Sequence, residues 1–192
     1  LKSTGSSRSW LVWDGTRWRY EPHDVTAIQK GFMTIESIDV EASACLDGLK
    51  RQELLKWSKS SQSKHRILSM ISMASKHEDI VVSMANFDKD THVINCLNGV
   101  VDLTNRSLQP SSSYRLISKL AKASYKPHAK APIFRSFVNQ IFGSDVELIR
   151  WVQRTIGYFL TGSVVEQKLF IAYGTGANGK STLFEIIKLI LG

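Results

Sequence analysis

The glycine-rich stretch from Gly174 to Thr182 constrains the fold of this chain more than any other feature. It reads Gly-Thr-Gly-Ala-Asn-Gly-Lys-Ser-Thr, which matches the pattern G-x-x-x-x-G-K-[ST]. A short apolar run, 168–173, precedes it, and a segment rich in Leu and Ile, 183–191, follows it. Strand, glycine loop and helix in this order are typical of a nucleoside-triphosphate site. The alternative is a glycine-rich turn between two core elements, and the flanking residues favour the nucleotide site.

The loop has the chemistry that a phosphate chain requires. Backbone N–H groups of a chain without obstructing side chains can point into one hollow, and a helix N-terminus adds partial positive charge. We predict that Lys180 contacts the β- and γ-phosphates and that the Ser181 hydroxyl ligates Mg²⁺. The predicted nucleotide-binding residues are Gly174, Thr175, Gly176, Ala177, Asn178, Gly179, Lys180, Ser181 and Thr182. Lys180 is also the predicted catalytic residue.

A P-loop fold needs further parallel strands and an acidic residue near the metal. Only one helix follows the loop here, and the chain begins at Leu1 rather than at Met. We therefore expect an internal fragment of a longer protein, in which 168–192 is the truncated start of a P-loop ATPase domain.

Positive charge is unevenly distributed along the chain. The net charge is +8, and the region 103–144 contains seven Lys or Arg residues but no Asp or Glu. A second basic cluster spans 50–66 and contains Glu53 as its one acid. Such runs favour a polyanion partner, although a solubilising surface is the alternative. We predict nucleic acid, with candidate contacts at Arg115, Lys119, Lys122 and Lys126.

Several function classes find no support in the sequence. The two cysteines form no C-x-x-C pair, the five histidines show no metal-ligand spacing, and buried thiols in a reducing compartment are expected. Asp88 and Asp90 are interpreted as a capped turn rather than a metal site, because a lysine lies between them. No apolar run approaches the ~20 residues of a membrane span, and no signal-like start is present.

The front of the chain predicts an α+β domain. After a linker or frayed end over 1–9, Asp14-Gly15 predicts a tight hairpin turn between Trp-rich arms whose tryptophans form a core rather than a base-stacking platform. Apolar spacing predicts three helices. The first helix is capped by Asp24 and is weakened or broken at Gly31. The second covers 49–59, with Leu54, Leu55 and Trp57 facing inward. The third is capped by Ser61 or Ser63. Strands are predicted over 80–83, 92–96 and 99–103.

Pro127 and Pro132 predict a domain boundary. Two amphipathic helices are predicted after it, one over 133–142 and one from Ser144 or Asp145 to Leu160. They are either an assembly collar or ordinary core helices. The predicted fold class is therefore α/β overall: an α+β domain over 10–130, a helical collar over 131–167, and the ATPase start over 168–192.

Four stretches in fixed order resemble the phage and plasmid primase–helicase family, which is related to the poxvirus nucleoside triphosphatase. They are Trp13-Asp14-Gly15-x-x-Trp18, Phe87-Asp88 with Asn98 to Leu103, Gly157-Tyr158-Phe159-Leu160-Thr161-Gly162, and the glycine loop. The third, directly before the Asn-Gly-Lys-Ser-Thr loop, is the most specific.

The resemblance implies a superfamily 3 helicase, which is a hexameric AAA+ ring that uses ATP and Mg²⁺ to translocate on single-stranded DNA during replication. It implies that Gly174 to Thr182 is the ATP-binding Walker A loop, and that the protein works in the cytoplasm of a bacterial cell carrying a phage, prophage or plasmid. The acidic Walker B residue, the sensor strand, the arginine finger and a primase active site are not found in this sequence. We therefore expect the chain alone not to hydrolyse ATP.

Two other functions fit the same residues. Residues 10–130 could form a non-enzymatic module for DNA binding or oligomerisation, or the glycine loop could belong to the P-loop ATPase of another DNA-processing motor.

Overall fold

The computed structural model of this protein describes residues 1–4, 9–174, 176 and 178–192. Its α-carbons form two compact units, one of Leu1–Asp14 with Trp18–Phe87 and one of Gly15–Arg17 with Asp88–Gly192. The strands are β1 (Lys2–Ser3), β2 (Trp10–Trp13), β3 (Trp18–Glu21), β4 (Val93–Cys96), β5 (Gly99–Asp102) and β6 (Leu108–Gln109). The α-helices are α1 (Val25–Ala44), α2 (Gly48–Ser61), α3 (Lys64–Ala74), α4 (Pro132–Ile141), α5 (Val146–Leu160) and α6 (Lys180–Leu191).

The first unit combines an antiparallel sheet with three helices. Strand β2 pairs with both β1 and β3, and α1 packs against α2 and α3. The predicted core role of the tryptophans is confirmed for Trp10 and Trp18, which are 2% and 4% exposed. The Trp18 ring contacts Phe87 edge-on, with 6.4 Å between the ring centroids. Helices with a small antiparallel sheet confirm the expected α+β domain.

Helix α1 begins without the predicted cap. Asp24 occupies the N-cap position in a left-handed conformation, but its side chain accepts no helix N–H. The carboxylate of Glu21 accepts instead from the Thr26 N–H at 2.7 Å and from the Thr26 hydroxyl at 2.5 Å. The cap is therefore supplied from the end of strand β3, which the local sequence pattern did not indicate.

Gly31 neither ends nor breaks α1. The helix continues to Ala44, and Gly31 is buried where α1 meets α3. A β-carbon at this position would lie 3.3 Å from Ile67 Cγ2 and 3.2 Å from Met70 Cε. The glycine thus permits two helices to approach closely, and this gain offsets its low helix propensity.

Three further predictions for the first unit are wrong in part. Lys2 and Ser3 are paired with β2 rather than frayed, and Ser3 is 1% exposed. The hairpin exists, but Trp13 pairs with Trp18, so its loop has four residues instead of a two-residue turn. The segment 80–83 is not a strand, since Val81 forms only an isolated bridge with Ser3.

The second unit contains the sheet β4-β5-β6, in which all pairings are antiparallel. Cys96, Val101 and Ala121 are buried together at its centre. Burial raises the pKa of the Cys96 thiol, which agrees with a structural rather than a reactive cysteine. The predicted strands 92–96 and 99–103 are confirmed to within one residue at each end.

The helices α4 and α5 are the two predicted amphipathic helices. Asp145, rather than Ser144, caps α5 by accepting the Leu148 N–H at 3.0 Å. Neither helix has a fully buried residue. Their apolar side chains line a groove of about 570 Å³ together with residues of α6. The choice between collar and core helices stays open.

The predicted strand 168–173 is wrong: none of these residues pairs with a strand within the described part of the chain. A strand is stabilised by hydrogen bonds to a neighbouring strand, and the described residues provide no such neighbour. The apolar side chain of Phe170 packs instead on α5, with its ring centroid 5.1 Å from that of Phe159 and 6.2 Å from that of Trp151.

None of the helices in the described ranges is long and apolar enough to cross a lipid bilayer.

Candidate nucleotide-binding site

The glycine loop leads directly into helix α6, as predicted. Gly179 is the N-cap residue in a left-handed conformation with φ of 80°, and the helix begins at Lys180. Gly174 at the start of the loop has φ of 152°, which ordinary L-residues rarely adopt. Thr175 and Ala177, both predicted to bind nucleotide, lie outside the described residues.

The Lys180 ammonium group lies against the loop itself. Its Nζ donates to the Gly174 carbonyl oxygen at 3.2 Å and to the Asn178 side-chain oxygen at 2.6 Å. These two contacts join the first residue of the loop to the first residue of the helix. The structure thus brings together Gly174, Asn178, Gly179 and Lys180 around one cation, which is the charge that a phosphate chain would meet.

The first turn of α6 presents backbone N–H groups that no side chain caps. Gly179 has no side-chain oxygen to accept them, and no acidic residue occupies the first turn. Unpaired N–H groups at a helix N-terminus attract an anion because the helix dipole adds to their own partial charge. This end of α6 therefore suits phosphate oxygens.

Ser181 and Thr182 are exposed on the same turn. The Ser181 hydroxyl could contribute one oxygen to Mg²⁺, which normally completes its shell with phosphate oxygens and water. Within the described ranges, no three His, Cys, Asp or Glu side chains come together as a metal site. Ser181 is therefore the residue of this turn that would hold a metal bound together with a nucleotide.

Helix α4 supports the loop, and sequence reasoning missed this contact. A β-carbon on Gly179 would lie 2.5 Å from Ile141 Cγ2 and 3.3 Å from Phe137 Cε2. The loop backbone therefore rests on the apolar face of α4, and glycine is the residue that permits this approach. The apolar stripe of α4 was visible in the sequence, but a contact across nearly forty residues was not.

The predicted nucleic-acid residues lie on a segment, 115–126, that crosses strand β4 and the turn after it. The Ala121 N–H donates to the Asn95 carbonyl at 2.8 Å, and the Leu97 N–H donates to the Ala123 carbonyl at 3.0 Å. The Lys122 N–H donates to the Ile190 carbonyl at 2.8 Å. Arg115, Lys119, Lys122 and Lys126 are exposed on this segment.

This segment contacts the C-terminal end of α6, whereas the glycine loop lies at its N-terminal end. A helix of 12 residues is about 18 Å long. The basic segment and the glycine loop are therefore two separate places in the second unit, and the structure does not combine their residues into one site.

The aspartates of the rejected metal pair are both used in local hydrogen bonds. The Asp88 carboxylate accepts from the Ser118 N–H at 2.8 Å and from the Ser118 hydroxyl at 2.5 Å. Asp90 accepts from the His92 N–H at 3.0 Å, as a turn cap does. Their contacts agree with the structural interpretation.

A comparison with protein families matches the front of the chain. The model of the family described as D5 N terminal like matches residues 3–143, which is more than half of the 192 residues. No curated protein matches the chain. The matched region ends before the glycine loop, so the assignment of that loop depends on its own motif and geometry.

Proposed function

Because the chain belongs to the family described as D5 N terminal like, the N-terminal part of phage and plasmid primase–helicase proteins, we propose that it is part of a replication protein of this kind. In this proposal the loop from Gly174 to Thr182 binds ATP. In the whole protein, ATP hydrolysis drives DNA unwinding. The observation that carries the proposal is the Lys180 ammonium, which lies at the uncapped N-terminus of α6 and contacts Gly174 and Asn178.

The loop residues have distinct roles in this proposal. Lys180 exchanges its two loop acceptors for phosphate oxygens, which carry more negative charge than an amide or carbonyl oxygen. The α6 N–H groups hold the remaining phosphate oxygens, and Ser181 gives its hydroxyl oxygen to the accompanying Mg²⁺. Bound ATP supplies the phosphoryl group whose transfer to water releases the energy for movement.

The partners follow from the family and the charge. The net charge of +8 favours DNA as the polyanion. We propose single-stranded or forked DNA as the partner and a hexameric ring as the assembly of the whole protein, in which neighbouring subunits complete each ATP site. A cytoplasmic location in a bacterial cell carrying a phage or plasmid belongs to the same proposal.

The direct test of the loop is ATP binding to this chain with Mg²⁺, measured by isothermal titration calorimetry. Lys180→Ala should weaken binding by about tenfold or more, because a charge-assisted hydrogen bond contributes roughly 1.5–3 kcal/mol. Lys188→Ala is the matched control, since Lys188 lies in the last turn of the same helix. Equal affinity of Lys180→Ala and the unmodified chain would refute the assignment.

A further arm of the titration tests the metal. Chelation of Mg²⁺ should weaken ATP binding to the unmodified chain, and Ser181→Ala should reduce this dependence on Mg²⁺ while keeping Lys180 in place. A Ser181→Ala chain with undiminished dependence on Mg²⁺ would remove Ser181 from the metal shell.

A further inference from the structure

The second unit contains a cavity of about 800 Å³ that is distant from the glycine loop. Residues 88–91, strand β4, the segment 115–121 and the end of α5 form its walls, and Leu191 at the end of α6 also lines it. This volume is in the range of sites that hold small organic ligands. The glycine loop does not contribute to it.

Two of the sequence motifs that the ATP-binding loop leaves unexplained meet at this cavity. Phe159 to Gly162 of the Gly-Tyr-Phe-Leu-Thr-Gly motif line one side, and the stretch that begins at Asp88 lines another. The Gly162 N–H donates to the Thr91 carbonyl at 2.9 Å. A β-carbon on Gly162 would lie 3.2 Å from Thr91 Cγ2. Glycine thus lets the end of α5 close one side of the cavity.

The charged groups on the cavity favour an anion. Lys89, Arg115 and Lys119 line it and are exposed. The two carboxylates on the same lining, Asp88 and Asp90, accept the local hydrogen bonds described above. Arg115 also donates to the Gln109 side-chain oxygen. Positive charge is therefore concentrated on the lining, while the carboxylates accept hydrogen bonds from their own neighbours. A phosphate group is the anion that lysine and arginine most often bind in this manner.

A buried amide, that of Asn95, lies on the lining and binds the Lys119 backbone. Asn95 is 5% exposed, and its side-chain nitrogen donates to the carbonyls of Thr16 at 2.9 Å and Lys119 at 3.0 Å. Both N–H bonds are thereby used, which fixes the orientation of the amide. Its side-chain oxygen accepts no hydrogen bond from any described residue. That oxygen is covered by neighbouring atoms, so Asn95 holds the Lys119 backbone in place rather than contacting a ligand.

An aromatic ring completes the set. Phe159 lines the cavity, is 40% exposed, and is held edge-on by Phe170. A ring with one partly open side can stack on a planar heterocycle. Phosphate-binding cations and an aromatic surface are together groups that recognise a nucleotide.

We propose that this cavity binds a nucleotide unit at a site separate from the ATP-binding loop. Arg115 and Lys119 bind its phosphate, and Phe159 contacts its base. The same chemistry is present in a free mononucleotide and in one residue of a single strand. The proposal does not depend on ATP binding, because none of the loop residues takes part.

The test compares a lysine on the cavity lining with a lysine of the same unit that lies outside it. The probes are a fluorescein-labelled ten-residue oligothymidylate, followed by anisotropy, and dTMP, followed by calorimetry, both without ATP. Lys119→Gln and Arg115→Gln should each weaken binding by about tenfold. Lys188→Gln is the matched control, since Lys188 is an exposed lysine of the same unit that lies outside both basic clusters and is not on the cavity lining. Thermal unfolding of each variant verifies that it is folded.

The outcomes separate the two sources and can overturn the site. If the cavity variants lose affinity for the oligonucleotide alone, the ligand is a nucleotide within a strand. If they lose affinity for both probes, the ligand is a mononucleotide. Equal losses of affinity in Lys119→Gln and Lys188→Gln, or no loss in either, would overturn the proposal. A photo-crosslink from 4-thiothymidine to Phe159 provides a second readout, and crosslinks confined to residues outside the cavity would contradict it. Lys180→Ala should leave both probes unaffected, so failure of the ATP-binding loop is distinguishable.

Discussion

At the scale of single residues, Gly179 combines two requirements that no other residue type meets. Its φ of 80° is left-handed, and its α-carbon faces Ile141 so closely that a β-carbon would lie 2.5 Å from Cγ2. Gly143 also has a left-handed φ, of 60°, but a β-carbon there would meet nothing within 4 Å. Substitutions at Gly143 and Gly179 therefore separate the cost of backbone strain from the cost of steric overlap.

We predict that Gly143→Ala lowers the free energy of unfolding by about 1–2 kcal/mol, the cost of a left-handed L-residue. Gly179→Ala should add a packing cost of about 1–3 kcal/mol to that strain. Urea unfolding of the two variants measures the difference, and ATP titration should show weaker binding only for Gly179→Ala. Equal destabilisation by the two substitutions would mean that α4 does not support the loop.

Asp102 provides a residue-scale prediction on pH. Hydrogen bonds from Thr104 hold the pKa of its carboxyl below the ordinary range, and the Arg115 guanidinium contributes least among the causes. The Thr104 hydroxyl and N–H lie 2.6 Å and 2.8 Å from Asp102 Oδ1. Because the pKa of Asp102 is lower in the folded state, its ionised carboxylate stabilises the fold. This contribution is fully present above the unfolded-state pKa of about 3.9. It is lost as the pH falls through the lower folded-state pKa.

We therefore expect the carboxyl ¹³C resonance of Asp102 to titrate below the ordinary aspartate range. Thr104→Val removes the hydroxyl donor and should raise the midpoint toward that range, whereas Arg115→Gln should raise it less. A midpoint that moves more in Arg115→Gln than in Thr104→Val would show that charge, rather than hydrogen bonding, sets the pKa of Asp102.

At the scale of elements, local pattern predicted the helices and strands better than their contacts. Apolar spacing located the six α-helices of the described residues, and β-prone runs between turn residues located β4 and β5. The pattern was wrong for α2, where Leu55 and Trp57 are 45% and 55% exposed while Ser58 is buried against the rest of the first unit. Helix packing decided which side of α2 faces inward, and a helix with a weak apolar stripe does not reveal that choice.

The strands that were missed or wrongly placed have a common cause. Strand β1 consists of two residues that gain their structure from pairing with β2, so its own composition carries no signal. The run 168–173 has a strand-like composition, yet in the described structure Phe170 packs on α5. Strand formation depends on a partner elsewhere in the chain, whereas helix formation depends on neighbours within one turn.

In the candidate site, too, local features were predicted and long-range contacts were not. The motif alone predicted a glycine loop that leads into a helix, since the glycine pattern is local. The structure begins that helix at Lys180, three residues before the predicted segment 183–191. The contact of α4 with Gly179 and the cavity that joins Asp88 to Gly162 were not predicted. They bring together residues that are tens of positions apart, and only the fold defines such distances.

At the scale of the whole molecule, the positive charge occurs in both units. The second unit carries the segment with Arg115 and Lys119, and the first carries Lys56, Lys59, Lys64 and Arg66 near the junction of α2 and α3. None of these four forms an ion pair within the described ranges. Lys64 and Arg66 even occupy the first turn of α3, where the helix dipole disfavours cations. These cations destabilise the helix, and no ion pair compensates for them in the described residues. Their placement therefore favours binding to an external polyanion.

We predict that the affinity of the whole chain for single-stranded DNA falls linearly on a plot of log K against log salt concentration. The combined substitution of Lys56, Lys59 and Lys64 by Gln should lower the steepness of that line by about 2, since each phosphate contact on a single strand contributes roughly 0.7. The control replaces Lys30 and Lys76, which lie outside both basic clusters. Because counterion release does not depend on the base, the loss should be the same for every sequence. If the triple variant keeps the original slope, the charge of the first unit is a solubilising surface, and DNA contact is confined to the second.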